Sequence, residues 1–273
     1  MMSRFLTLFF SFLILFSFNH VTTNAQSNED TFYLKVDYFK AQPAQITEYL
    51  HVEQELWKPI HQARVDNGII LGWTFYGVFA GEPDVPYNYI AVNVFDEFEL
   101  VDYYQLGELV AEVYPDKDLG DFFEQTRASR EVVRTEIWKV DGMASQPGEV
   151  LPFGNYAVAQ FYDDREGSGD ASALELDFWK NIHETRITND ELDGWARYTL
   201  LYPEGNVRHY TYSAFEFHNN LGNLIVDPGL ETAQSAFPGL SGDEIIRYLS
   251  KTKKARTLNK TEIWNLLDSV GYD

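Results

Sequence analysis

The chain has 273 residues, no cysteine and a formal net charge of −21 at neutral pH. Without cysteine it forms no disulfides and has no thiol chemistry, so a core rich in aromatic side chains must supply its stability. Because a strongly acidic chain is repelled by nucleic acid and by anionic lipid, we expect neither as a partner.

The N-terminal residues 1–25 have the pattern of a signal peptide. A basic residue precedes an apolar run from Phe5 to Phe18, and Thr23 and Ala25 are the small residues that a cleavage site needs. The run is short for a membrane span, which needs about 20 apolar residues. An uncleaved anchor is the alternative. We expect an exported protein, periplasmic or secreted, that is cleaved near Ala25 and then has no contact with the membrane.

The following residues predict a mixed α+β unit. Alternating apolar and polar side chains predict strands, and the turn-forming sequence GEPDVP predicts a hairpin between two of them. Pro59 lies inside a run with helical spacing and predicts a kink or a break there. In chain order the patterns predict a strand, a helix, two hairpin strands, a helix and a closing strand at residues 31–39, 44–66, 73–80, 87–95, 101–114 and 134–140.

This unit is present twice. WKPIHQARVDNGIILGW at 57–73 returns as WKNIHETRITNDELDGW at 179–195, and the closing block Thr-Glu-Ile-Trp of the first unit returns near the C-terminus. Segments that recur in the same order about 120 residues apart indicate an internal duplication. The predicted domains are a signal peptide, a first unit, a linker rich in turn formers and a second unit, at residues 1–25, 26–141, 142–154 and 155–273.

Two βαββαβ units predict two four-stranded antiparallel sheets, each with helices on one face. The bare sheet faces can cover each other within one chain. A monomer is therefore the default state.

With its duplicated Trp-x-x-x-His helices and closing strands, the sequence resembles the dimeric α+β barrel superfamily, in outline its NIPSNAP-like and EthD-like members. The resemblance implies two tandem ferredoxin-like βαββαβ units whose antiparallel sheets pair into an intrachain α+β barrel. It covers essentially the whole mature chain as architecture. The superfamily includes monooxygenases, haem-degrading enzymes, haem peroxidase-like enzymes, lactone isomerases and small-molecule binders, so the fold alone does not choose a function.

The repeated helix carries the first set of candidate site residues. In the first unit a Glu, a Trp, a His and an Arg at i, i+4, i+8 and i+11 share one helix face, and the second unit repeats them. The histidines are candidate proton acceptors, the tryptophans can stack on a flat ligand, and the arginines can hold a carboxylate. The alternative is that these side chains only anchor the helix. The candidate catalytic residues are His61 and His183, and the candidate ligand-binding residues are Trp57, Arg64, Trp179 and Arg186.

A strand of the second unit carries the other candidates. Alternation along RHYTYSAFEFH places Tyr210, Tyr212, Glu216 and His218 on one face. Of these, Tyr212, Glu216 and His218 are candidate ligand-binding residues, with Glu216 or His218 as a possible general base. An exposed strand end is the alternative. Because the first unit lacks counterparts of His209 and His218, the sequence favours a site in the second unit.

We expect neither a cofactor nor a metal. A helix-borne haem ligand would be His61 or His183, but basic residues for two haem propionates are sparse nearby. Residues 164–175 approach the spacing of a calcium loop, with a Glu at its third position and a strand before it where a helix is usual. A solvated acidic turn is the simpler interpretation of this segment.

The sequence therefore predicts an exported protein that binds a small apolar or aromatic ligand between helix and sheet. The first alternative is a cofactor-independent monooxygenase or isomerase with a helix-borne His as base. The second is a structural or interaction protein without a working pocket. A cavity that touches His61 or His183 would favour the first two functions, and a packed interior would favour the third.

Overall fold

A computed structural model describes residues 31–82, 84–102, 106–164, 174–204, 209–225 and 228–271. The first unit contains β1 (Tyr33–Lys40), helix α1, β2 (Gly72–Ala80), β3 (Tyr89–Phe95), α2 (Leu106–Val113), α3 (Leu119–Ser129) and β4 (Glu131–Ser145). The second contains β5 (Tyr156–Asp164), helix α4, β6 (Gly194–Tyr202), β7 (Tyr212–His218), α5 (Leu230–Ala236), α6 (Gly242–Ala255) and β8 (Arg256–Val270).

The long helix of each unit contains a π-helical segment. Helix α1 runs through Ile46–His51, the π-helical Val52–Trp57 and Lys58–Asp66, and α4 runs through the π-helical Glu175–Trp179 and Lys180–Thr188. The helix does not break at Pro59, which lies in the first turn of the last helical stretch, where its missing N–H is tolerated. The π-helical segment recurs in α4, which has no proline, so proline does not cause it.

The eight strands form one closed antiparallel barrel in the order β1-β3-β2-β8-β5-β7-β6-β4. Within each unit the strands follow the ferredoxin-like order, with the closing strand beside the first strand. The two sheets then join along both edges, because β2 pairs with β8 and β4 pairs with β6. Closure leaves no unpaired edge strand. The predicted α+β fold of two units that pair into an intrachain barrel is confirmed.

Some elements differ from the sequence prediction. Helices α3 and α5 were not predicted, and both closing strands are longer than predicted. Helix α3 begins at a local signal, because the Asp118 carboxylate accepts a hydrogen bond of 3.1 Å from the Asp121 N–H. Strand β4 continues to Ser145, so the first residues of the segment predicted as a linker belong to the barrel.

The barrel interior is filled by aromatic side chains around two buried carboxylates. Glu136 on β4 and Glu262 on β8 are 3% and 1% exposed. Both belong to the repeated Thr-Glu-Ile-Trp block, and each accepts a hydrogen bond from the indole N–H two residues later, over 3.2 Å from Trp138 and 2.8 Å from Trp264. The block is therefore repeated because it places a paired Glu and Trp inside the barrel.

The two carboxylates also join the units to each other. The Tyr210 hydroxyl of the second unit donates to Glu136 of the first over 2.5 Å, and the Tyr87 hydroxyl of the first donates to Glu262 of the second over 2.7 Å. Burial raises the pKa of both tyrosines, so the hydroxyls stay protonated donors at neutral pH. We call these residues, with the cations that balance the carboxylates, the interior polar network: Tyr87, Arg134, Glu136, Tyr210, Lys260 and Glu262.

The network places Tyr210 in the barrel, away from the face assigned to it by alternation. It lies before the first residue of β7, so the alternation of that strand does not extend to it.

Among the described residues, no helix is long and apolar enough to span a membrane.

The interior polar network predicts a stability effect. Tyr87→Phe and Tyr210→Phe should each lower the free energy of unfolding by about 1–3 kcal/mol, because a buried carboxylate loses a donor. The half-buried Tyr156 lies against the exposed Phe79, and Tyr156→Phe is the matched control with an expected change below about 0.5 kcal/mol. Urea unfolding measures all three, and equal losses in the three variants would contradict the role of the network.

Candidate functional site

The candidate residues of α1 face the outer surface of the first half of the barrel. His61 lies between two indoles, with ring centroids 5.8 Å from Trp57 and 4.6 Å from Trp73, the second of these stacked at 14°. In the second unit His183 lies between Trp179 and Trp195 in the same way, at 5.9 and 5.1 Å. The duplicated helix therefore builds the same aromatic frame twice, and the Trp that closes each repeated segment is part of it.

Each histidine is also in contact with the arginine one turn later. His61 Nδ1 lies 3.1 Å from Arg64 Nη1, and His183 Nδ1 lies 3.3 Å from Arg186 Nη1. An arginine can only donate, so Nδ1 accepts and the proton of the neutral ring is on Nε2. Burial, followed by the nearby Arg64, holds the pKa of His61 well below its usual value. Both histidines are neutral at pH 7.

The two units differ at the residue that faces the arginine. Strand pairing sets Asn93 opposite Trp73 and Glu216 opposite Trp195, so Asn93 and Glu216 are equivalent positions. Arg64 Nη1 donates to the side-chain oxygen of Asn93 over 2.7 Å. The second unit has a carboxylate where the first has a neutral amide.

In the second unit this carboxylate is surrounded by the other candidate residues. Glu216 Oε2 is 2.9 Å from Arg186 Nη1 and 3.5 Å from His218 Nε2, and Oε1 is 4.0 Å from His183 Nδ1. Burial alone would raise the pKa of Glu216, but His218, His183 and Arg186 lower it to about 2. Glu216 is therefore ionised at neutral pH, and Arg186, His218 and His183 lie around its carboxylate.

An ion pair lies further along the same helix face in each unit. Arg130 pairs with Glu53, and Arg256 pairs with Glu175. The guanidinium carbons lie 4.0 Å from the ring centre of Phe39 and 4.1 Å from that of Tyr162, a cation–π geometry. Tyr212, the remaining candidate residue, lies on the same side of the second unit, with its ring stacked 5.2 Å from that of Tyr162.

A cavity of about 180 Å³ lies between α1 and the first sheet. It is close in size to an engineered protein cavity of about 150 Å³ that holds benzene. The barrel interior, in contrast, retains only about 60 Å³. The cavity beside α1 is lined by aromatic, aliphatic and charged side chains: Lys35, Asp37, Phe39, Glu53, Trp57, His61, Arg64, Trp73, Ala91, Asn93, Val101, Leu106, Leu109 and Arg130.

The structure brings Trp57, His61 and Arg64 together at this cavity, as the sequence predicted for the first unit. Asn93, Asp37 and Trp73 also line the cavity and were not predicted from the sequence. Asn93 could have been found by aligning the third strands of the two units residue by residue, since that alignment shows the exchange of Asn for Glu.

The cavity does not fit haem. Its volume suits a single small ring, and a porphyrin is several times larger. His61 Nδ1 already faces Arg64, and the imidazole is stacked between two indoles. Among the described residues no group of three His, Asp or Glu side chains is arranged to hold a metal ion. Residues 165–173 of the calcium-like segment lie outside the described residues, and Glu175 at its end pairs with Arg256.

No protein-family model matches the chain, and no curated protein matches it by sequence. Among solved structures, it is similar to a proposed monooxygenase from Fusobacterium nucleatum subsp. nucleatum ATCC 25586, with 14% identity, a TM-score of 0.51, and coverage of 88% of this chain and 94% of that one. A proposed chlorite dismutase (12% identity, TM-score 0.45) matches 87% of this chain and 95% of its own. An anthrone oxidase-like protein (10% identity, TM-score 0.45) matches 89% and 93%.

The chain has the dimeric α+β barrel fold. No match supports the narrower NIPSNAP-like or EthD-like assignment. A dimeric α+β barrel formed by one chain has its two helix layers outside the barrel, and this is where both histidine sites lie.

The lowered pKa of His183 predicts that the protein loses stability in acid. Burial, with a smaller effect of Arg186, lowers the pKa of His183 to about 4, although Glu216 opposes the shift. Between pH 6.5 and 4 the unfolded chain therefore binds more protons at this residue than the folded chain, and stability falls as pH falls. From pH 7 to pH 5 this one histidine should remove about 2 kcal/mol of the free energy of unfolding.

Urea unfolding at pH 7 and pH 5 measures the effect. His183→Gln should reduce the difference between the two pH values by about that amount, whatever its stability at pH 7. His51→Gln, which changes an exposed histidine of α1, is the control and should leave the difference unchanged. A His183→Gln protein with the full pH difference would contradict a neutral, buried His183.

Proposed function

We propose that this protein binds a small, partly aromatic molecule in the cavity between α1 and the first sheet. The observation that carries the proposal is a cavity of about 180 Å³ that touches His61, Trp57 and Arg64 together. Ligand sites combine an apolar lining with a few convergent polar groups, and this cavity has both. The proposal places the site in the first unit, whereas the sequence favoured the second.

The indole of Trp73 adds support. It is fully buried, and its Nε1–H has no hydrogen-bond partner among the described residues. A buried donor without a partner costs about 1–3 kcal/mol, and a ligand in the cavity would relieve such a cost if it reached the indole.

Export of the protein remains a prediction, since residues 1–25 lie outside the described part of the chain.

An enzyme of the cofactor-independent monooxygenase or isomerase kind remains the second candidate. Its support is a neutral His61 in a cavity, since a general base must be unprotonated. The geometry favours binding over proton abstraction, however, because the free electron pair of His61 Nδ1 faces Arg64 at 3.1 Å. Turnover that is lost in His61→Gln while ligand binding persists would establish the enzyme.

Filling the cavity tests the binding function. Ala91 lines the cavity, and Ala91→Leu adds three carbons to it. We expect neutral and charged aromatic fragments to shift the indole N–H resonance of Trp73 in the native protein, less in Ala91→Val and not at all in Ala91→Leu. Circular dichroism checks that both variants fold. The indole N–H resonance of Trp73 is identified as the one that is missing from the spectrum of Trp73→Phe. A fragment set that never shifts this resonance would overturn the proposed function.

A further inference from the structure

The second unit has a carboxylate, Glu216, at the position that Asn93 occupies in the first unit. Glu216 projects from β7 toward the same Arg, His and Trp that the first unit presents around its cavity. Its Oε2 accepts from Arg186 over 2.9 Å, and Arg186 is fully buried. The duplication thus displays, in one half of the molecule, which chemical group this frame holds.

The first unit has the frame without the carboxylate. Among the described residues, Arg64 makes its hydrogen bonds to two neutral groups, His61 and Asn93. The Asn93 amide offers N–H donors as well as the oxygen that Arg64 uses. A guanidinium has five N–H donors and prefers a carboxylate partner, so Arg64 retains donors for one.

The charge of the residues around Arg64 also differs from the charge of those around Arg186. In the second unit Arg186 and Arg256 are matched by Glu216 and Glu175. In the first unit three cations line the cavity against two carboxylates, and one of those carboxylates is used by the Arg130–Glu53 pair. The cavity-lining residues therefore carry one excess positive charge: Lys35, Arg64 and Arg130 against Asp37 and Glu53.

We propose that the first-unit cavity takes a small organic monocarboxylate, whose head group meets the remaining N–H donors of Arg64 and the amide of Asn93, and whose body lies against the apolar lining of the cavity. The inference rests on the proposed function and specifies its ligand class. The cavity volume limits the body to about one ring, as in an aromatic or alicyclic acid. The fixed anion Glu216 makes the second unit a site already occupied by its own chain.

The test compares benzoate with benzamide, which has nearly the same shape and no charge. The Trp73 indole N–H resonance reports on the first unit, and the Trp195 resonance reports on the second within the same sample. We expect benzoate to shift the Trp73 resonance and to bind at least roughly tenfold more tightly than benzamide, with the Trp195 resonance unchanged.

Asn93→Glu gives the first unit the carboxylate that Glu216 provides in the second unit. This variant is the second part of the test. The new carboxylate should pair with Arg64 and abolish benzoate binding. Asn67→Glu adds the same charge at an exposed residue after α1 and should leave benzoate binding unchanged. If Asn93→Glu does not fold, the comparison of benzoate with benzamide on the native protein still decides.

The outcomes separate the two proposals. Benzamide binding as tightly as benzoate would overturn the carboxylate class and leave the binding function intact. Benzoate binding that survives in a folded Asn93→Glu protein would also overturn it. If neither compound nor any other aromatic fragment shifts the Trp73 resonance, the binding function itself is wrong.

Discussion

Two carboxylates buried inside the barrel decide how the halves of this protein meet. Glu136 and Glu262 each pair with a cation of their own unit and also accept a hydrogen bond from a tyrosine hydroxyl of the opposite unit, so both units contribute to each buried charge. A buried charge that loses its partners is strongly destabilising, and this ties the two sheets into one interior. With that interior filled except for about 60 Å³, the outer faces under the helices are where the fold leaves room for a ligand.

The duplication then produced two versions of one frame. Each has a neutral histidine between two indoles and an arginine one turn later, and they differ at Asn93 and Glu216. In the Glu version a carboxylate of the chain itself pairs with the arginine, and the Asn version lines a cavity with excess positive charge in a molecule of net charge −21. Screening over about 8 Å at physiological ionic strength lets the local charge dominate inside such a cavity.

The repeat, the strand alternation and the amphipathic helices allowed the fold to be predicted, and the helix-borne candidates Trp57, His61 and Arg64 line one cavity. Local signals were not enough for α3 and α5, because these short helices depend on packing against their neighbours. A pocket between helix and sheet was expected, but its volume could not be predicted, since it depends on how closely α1 approaches the sheet. The sequence favoured the second unit for its extra histidines, and there His218 lies 3.5 Å from the Glu216 carboxylate. The exchange of Asn93 on β3 for Glu216 on β7 is visible in the sequence and distinguishes the two units.

A crystal structure of the protein grown with benzoate tests the central claim most directly. We expect one benzoate in the cavity beside α1, with its carboxylate within hydrogen-bond distance of Arg64 and its ring against the apolar lining of the cavity. We also expect that Glu216 keeps its contact with Arg186 and that no benzoate lies beside α4. A benzoate bound beside Arg186 with Glu216 displaced, or a cavity beside α1 that stays empty at saturating benzoate, would contradict it.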